Sequence, residues 1–188
     1  MNRYEFRIWD RDLASVRHEM ERLASPSEAV ESNEIYLISN ATDCIAKIRD
    51  ELLDIKVLLK VERRLEQWSP ILKAGFPLGA SAMVQMFDSL KLIPPRLTKA
   101  TYEFEDFLDE AVKRGIATVK TSKLRSHFKF DRCQTEFAKV NIDAIGRETV
   151  AVESEDPEAV LAAITRIGIA DRENVSYVRN IERLRTSN

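Results

Sequence analysis

Two stretches of this chain alternate charge with bulk at every second position. In Arg3-Tyr4-Glu5-Phe6-Arg7-Ile8-Trp9 the charges stand at 3, 5 and 7, with large apolar residues between them. Lys123-Leu124-Arg125-Ser126-His127-Phe128-Lys129-Phe130 repeats the pattern, with four basic residues in register. A β-strand has a side-chain period of two, so each stretch presents one charged face and one apolar face. One such strand is an ordinary solvated sheet. Several, with cations on one face and helices over the other, point to a barrel whose lumen binds a polyanion.

The chain has 188 residues, enough for one domain with a sizeable core. Hydrophobic residues make up 44% and charged residues 32%, which is the composition of a globular and not a disordered chain. A net charge of −2 excludes a bulk nucleic-acid binder, so any basic site must be local and offset by acidic surface elsewhere. Cys44 and Cys133 form no CxxC pair, which reads as a reduced, cytoplasmic protein. Arg3, Glu5 and Arg7 interrupt any signal-peptide core, and no apolar run approaches a membrane span, so no membrane partner is expected.

Strands are expected over 2–9, 34–38, 43–49 and 53–61, the last two joined as a hairpin across Asp50-Glu51. The fourth puts Asp54, Lys56, Leu58 and Lys60 on one side and Ile55, Val57, Leu59 and Val61 on the other. Asp12 caps a helix through Leu13, Val16, Met20 and Leu23. The period then changes. Helices are expected over 63–73, 81–90 and 101–114, the last ended by Gly115. Strands return over 116–121, 123–130, 136–143 and 149–155. Asp156-Pro157 opens a helix ending at Gly168, and a short helix follows Asn174. The expected class is α+β: one domain over 1–188, an eight-stranded antiparallel β-barrel with flanking helices and a helical insert at about 63–115.

Several chemistries are absent. The five glycines form neither GxxxxGK[ST] nor GxGxxG, so phosphates would have to be held by side-chain cations. His18 and His127 have no partner at zinc-ligand spacing, and no GxSxG elbow exists. On one lumen-type face stand Arg3, Arg7, Lys47, Arg49, Lys56, Lys60, Lys123, Arg125 and Lys129, opposed by Glu5, Glu153 and Glu155. An unpaired interior cation costs several kcal/mol, so such an excess makes physical sense if an anion enters. Each charge-assisted hydrogen bond to it contributes roughly 1.5–3 kcal/mol. Carboxylates beside phosphates repel them unless a divalent metal lies between, and oxygen ligands suit Mg2+ or Mn2+.

The order of these pieces resembles the CYTH family, the triphosphate tunnel metalloenzymes. The matching pieces are Tyr4-Glu5-Phe6-Arg7, Ala46-Lys47-Ile48-Arg49, Ile55-Lys56-Val57-Leu58-Leu59-Lys60, Val152-Glu153-Ser154-Glu155, Ile167-Gly168-Ile169 and Ser176-Tyr177. They span nearly the whole chain outside the expected insert. The resemblance implies a β-tunnel in which Arg49, Lys56, Lys60, Arg125 and Lys129 bind phosphate, and Arg7, Lys47 and Lys123, on the same lumen-type face, are expected to bind substrate with them. It implies Glu5, Glu153 and Glu155 as metal ligands and catalytic residues for Mg2+ or Mn2+, and pairing as a homodimer. Strand one departs from the family. Its E-x-E-x-K reads Arg3-x-Glu5-x-Arg7, so a metal-ligating carboxylate has become a cation, which weakens metal binding.

The same residues have plainer readings. Arg3, Glu5 and Arg7 fit a solvated sheet face, and Lys123, Arg125 and Lys129 fit a charged, protected edge. Glu155 and Asp156 fit the acidic first turn of a helix. Three functions follow: a metal-dependent phosphohydrolase of a triphosphate or polyphosphate, the same tunnel binding a phosphorylated ligand without turnover, or a non-enzymatic α+β interaction domain. The expectation leans to the enzyme, with a triphosphate- or polyphosphate-containing small molecule as partner.

Overall fold

The computed structural model describes residues 1–186. Eight antiparallel strands close into a barrel, flanked by helices, which is the expected α+β class. They are β1 (Arg3–Asp10), β2 (Val30–Ile38), β3 (Cys44–Arg49), β4 (Leu52–Glu62), β5 (Leu65–Gly75), β8 (Ala117–Phe130), β9 (Cys133–Ile142) and β10 (Ile145–Ser154). Around the barrel the order is β1-β10-β9-β8-β2-β3-β4-β5. β6 (Leu78–Gly79) and β7 (Thr101–Tyr102) form a separate two-stranded sheet. The helices are α1 (Ala14–Leu23), α2 (Ala80–Ser89), α3 (Phe104–Lys113), α4 (Pro157–Arg166) and α5 (Tyr177–Thr186). Among the described residues no helix is long and apolar enough to cross a membrane.

Two expectations about elements are corrected. Residues 63–73, expected as a helix, are mostly strand β5, so the helical segment begins only at α2. The physical reason is Pro70. Within a helix it would remove a backbone hydrogen bond and clash with the preceding turn, whereas a strand tolerates it where its nitrogen faces away from a neighbour. Residues 116–121 and 123–130, expected as two strands, are the single strand β8. The two errors offset each other in the count of eight.

The chain divides into two compact units. Unit 1 comprises Met1–Ser32, Leu58–Ser69 and the described residues from Thr121 onward. Its core packs the even-numbered side chains of β1 (Tyr4, Phe6, Ile8), with Val150 and Val152 of β10, against α1 and α4. α1 contributes Val16 and Met20, and α4 contributes Val160, Ala163 and Ile164. Asp156 starts α4 by accepting a hydrogen bond from Glu158 N at 3.0 Å. The period of two leaves the odd positions of β1 and β10 on the opposite, polar face. Unit 2 comprises Asn33–Val57 and Pro70–Lys120. There Ala46 and Ile48 of β3 and Leu53 and Ile55 of β4 pack on Met83, Met86 and Phe87 of α2 and on Phe107 of α3.

Four hairpins turn through two-residue loops with both residues left-handed: Asp50-Glu51, as expected, and also Arg63-Arg64, Asp131-Arg132 and Asp143-Ala144. This geometry matches the twist of the flanking strands but favours Asn-Gly, and none of these loops contains glycine. Ala144, at φ 72°, carries the left-handed penalty with no polar side chain to offset it. Ala144→Gly is therefore expected to raise the unfolding free energy by about 0.5–1 kcal/mol, read as a higher urea midpoint at unchanged slope. Phe6→Ala, at a fully buried position, is expected to lower it by about 3–5 kcal/mol in the same measurement.

Candidate functional site

The polar face of unit 1 is assembled by strand register. β1 pairs with β10 at Glu5–Glu153 and Arg7–Ala151, and with β5 at Arg3–Trp68 and Glu5–Glu66. β10 pairs with β9 at Ala151–Glu136 and Glu153–Gln134. β9 pairs with β8 at Ala138–Arg125, Glu136–His127 and Gln134–Lys129. Partners across an antiparallel ladder share a face. Five strands therefore bring Arg3, Glu5, Arg7, Glu66, Lys123, Arg125, His127, Lys129, Glu136 and Glu153 to one surface.

Arg7 is the centre of that surface. It is only 5% exposed. Its Nε donates to Glu5 Oε1 at 2.7 Å, and its Nη1 donates to Glu136 Oε1 at 3.4 Å and Thr149 Oγ1 at 3.3 Å. Its guanidinium also lies 4.6 Å from the centre of the Tyr177 ring. Burial alone would lower its pKa, but Glu5, Tyr177 and Glu136 overcome this and hold it well above the ordinary arginine value. Lys123 Nζ lies 3.7 Å from the centre of the same ring, and Trp9 meets that ring edge-on at 4.7 Å. Tyr177 is the first residue of α5, so this helix is seated on two buried cations of the sheet.

Glu136 gathers the remaining charges. Arg125 Nη1 stands 3.8 Å and His127 Nε2 3.5 Å from its Oε2. Burial would raise the carboxyl pKa. The hydrogen bond with His127 and the charges of Arg7, Lys123 and Arg125 outweigh burial and hold it well below the usual carboxylate range. Arg125 is less completely served. Its side chain is 14% exposed, yet its Nε is buried with no hydrogen-bond partner. A charged donor left in that state costs more than an ordinary missing bond.

The acids of this face are each held by an arginine. Glu5 accepts from Arg7, Glu153 Oε2 stands 3.7 Å from Arg3 Nη1, and Glu66 Oε1 accepts from Arg179 Nη1 at 2.8 Å. Glu66 is 2% exposed, and burial, with Glu5 adding to it, raises its pKa despite Arg179. Glu155 is exposed and lies one residue past the end of β10. Among the described residues no three His, Cys, Asp or Glu side chains come together as a metal-binding group. Glu5, Glu153 and Glu155 as arranged do not fit a divalent-metal centre: two are engaged by guanidinium groups, and the third stands off the strand.

The other expected residues fall elsewhere. In unit 2, Glu34 is buried and meets two cations, Lys47 Nζ at 3.3 Å and Arg49 Nη1 at 3.4 Å. Burial, with Arg49 and Lys56 adding to it, lowers the Lys47 pKa although Glu34 opposes the shift. Lys56 is half-buried on the same face of that hairpin, in register with Ile45. Lys60 is not brought into the cation group of unit 1. It is exposed, pairs with Glu62 at 2.5 Å and lies over Tyr4, whose ring belongs to the helix-covered face. Lys129 is exposed but keeps its place on the polar face through Gln134. Sequence reasoning missed Glu66, Glu136 and Arg179. Glu66 was hidden by the helical reading of 63–73. Glu136 was signalled by its place, opposite a strand with four basic residues on one face.

No protein-family model matches the chain, and no curated protein matches it. Solved structures do. A protein of Pyrococcus horikoshii OT3 is 15% identical, with a TM-score of 0.55, over 97% of this chain and 98% of its own. HpAC1 of Hippeastrum, for which a dominant triphosphatase activity is reported, is 11% identical, with a TM-score of 0.53, over 100% and 97%. A Bacillus halodurans protein described as a candidate adenylate cyclase is 10% identical, with a TM-score of 0.54, over 97% of each chain. At these identities the likeness is one of fold. The chain has the triphosphate-tunnel fold that its sequence resembles.

Glu136→Gln leaves Arg7 and Arg125 short of a buried counter-charge and is expected to cost about 3 kcal/mol at neutral pH. A depressed folded pKa means that the stabilisation is present above the unfolded carboxyl pKa of roughly 4.3 and is lost as pH falls through the folded value. The gap between the natural protein and Glu136→Gln should therefore shrink below about pH 4. Urea unfolding at pH 7 and pH 3 measures it.

Proposed function

We propose that the polar face of unit 1 binds the phosphate groups of a triphosphate- or polyphosphate-containing small molecule. The observation that carries this reading is Arg125. Its Nε is a buried, charged donor with no partner, on a face where it is flanked by Lys123 and Lys129. An anionic oxygen would satisfy that donor, and a guanidinium fork suits phosphate oxygens. Arg3, Arg125 and Lys129 are the cations through which the anion is held. Arg7 and Lys123, covered by Tyr177, add to the field from beneath. Lys47, Arg49 and Lys56 of unit 2 form a second set of phosphate-binding cations.

Hydrolysis of the bound phosphoanhydride is the second reading, favoured by the likeness of fold to a protein with triphosphatase activity. Cations already placed around a transferring phosphoryl group would stabilise its charge without rearrangement. Dependence on Mg2+ or Mn2+ is part of this second reading. The engagement of Glu5 and Glu153 by arginines weighs against it and favours binding as the first.

A thermal melt with tripolyphosphate at near-physiological salt, with and without manganese, separates these readings. At a hundred times its dissociation constant the ligand should add about 2.7 kcal/mol of stability. Arg125→Ala should remove most of that gain while leaving the ligand-free melting temperature nearly unchanged. Glu136→Gln, by removing a negative charge from the site, should tighten tripolyphosphate binding even as it destabilises the free protein. Gain without a manganese requirement and without phosphate release supports binding alone. Manganese-dependent release of phosphate supports the enzyme. Absence of any stabilisation overturns both.

A further inference from the structure

A second cation-rich cavity lies on unit 1, bordered by Trp9 but not by Arg7 or Tyr177. It has a volume of about 460 Å3, within the range of roughly 300–1,000 Å3 typical of small-molecule sites. Its walls come from the end of β1, from β10, from the loop before α5 and from α5 itself. Trp9 and Leu184 supply apolar surface.

Four arginines line it, and two of them are neutralised. Arg172 Nη2 donates to Asp10 Oδ2 at 2.7 Å, and Arg183 grips Glu173 through both terminal nitrogens at 2.8 and 2.6 Å. The other two are Arg11 and Arg147. Among the described residues neither forms an ion pair, and the Arg147 Nη1 donates only to the carbonyl of Gly146 at 2.7 Å. The cavity thus carries two positive charges in excess. A separate observation points to a missing ligand. Asn180, on α5, lines the cavity and is 7% exposed, and its Nδ2 is buried with no hydrogen-bond partner. Buried amide donors are normally satisfied.

We infer that this cavity is a binding site for a small organic phosphomonoester, with its dianionic head between Arg11 and Arg147 and its apolar body against Trp9 and Leu184. A phosphomonoester carries close to two negative charges at neutral pH, which matches the excess. Its three oxygens match two guanidinium forks and one amide donor. The inference does not rest on the reading of the Arg125 face.

Calorimetric titration of the full chain with phenyl phosphate tests it. Saturable binding to one site is expected, and benzyl alcohol, which lacks the charge, should not bind. Arg125→Ala should change the phenyl phosphate affinity by less than threefold. Arg11→Ala combined with Arg147→Ala should lower it at least tenfold while changing tripolyphosphate affinity by less than threefold. Should the double variant fold poorly, Arg147→Gln alone should still lower the affinity at least threefold. The inference is overturned if phenyl phosphate gives no saturable heat, if its binding is lost with Arg125→Ala, or if removing Arg147 leaves it unchanged. Loss of tripolyphosphate binding alone would count against the Arg125 face and leave this site standing.

Discussion

The organisation of unit 1 depends on the burial of one guanidinium. Arg7 stands on the face of β1 opposite the one that packs on α1 and α4, and almost none of it reaches water. A bare guanidinium there would be prohibitively costly, so its five donors must be met within the fold. Glu5 comes from its own strand, Glu136 from β9, Thr149 from β10 and the Tyr177 ring from α5. One side chain thus ties together elements that lie far apart in sequence. The same demand recurs along the face, where Arg3 stands by Glu153 and Arg179 by Glu66. Pairing is frequent on this surface, and among the described residues Arg125 Nε is a buried donor left out of it.

That pairing bears on chemistry as well as on stability. Carboxylates engaged by arginines are poor metal ligands, because the metal must displace a charge-assisted hydrogen bond before it gains one of its own. The Arg3-x-Glu5-x-Arg7 motif therefore acts twice. It carries a cation where the pattern that the sequence resembles has an acid, and the remaining acid is taken by the arginine two residues on. The face is left rich in donors for an anion. Helix α5 links this face to the second cavity, since Tyr177 rests on Arg7 and Lys123 while Asn180 and Leu184 line the space beyond Trp9.

Much of the fold was legible because period-two patterning is a local property. Tyr4, Phe6 and Ile8 against Arg3, Glu5 and Arg7 assign two faces to β1 with no knowledge of its neighbours, and Lys123 to Phe130 does the same for β8. Asp156-Pro157 announced α4, and Asp50-Glu51 its hairpin. The failures also have local causes. In 63–73 the apolar spacing resembled a helix, and the contrary signal was the single residue Pro70. Lys60 keeps the parity of Lys56, but it lies beyond the β3–β4 pairing, on the exposed end of β4 beside Glu62. Parity describes a face only where neighbouring strands hold it.

The sequence by itself determined which residues share a strand face and that cations would outnumber acids on the polar one; the tunnel fold came from the resemblance of its ordered motifs. The first two are consequences of backbone periodicity and residue type. Only the tertiary structure decided which acid meets which base. Glu136 belongs with Arg7 because β9 and β10 bring it there in register, and Glu66 belongs with Arg179 because α5 crosses that part of the sheet. Charges interact over a few ångströms, and such distances between residues more than a hundred positions apart are set by packing and strand register, which no local pattern encodes.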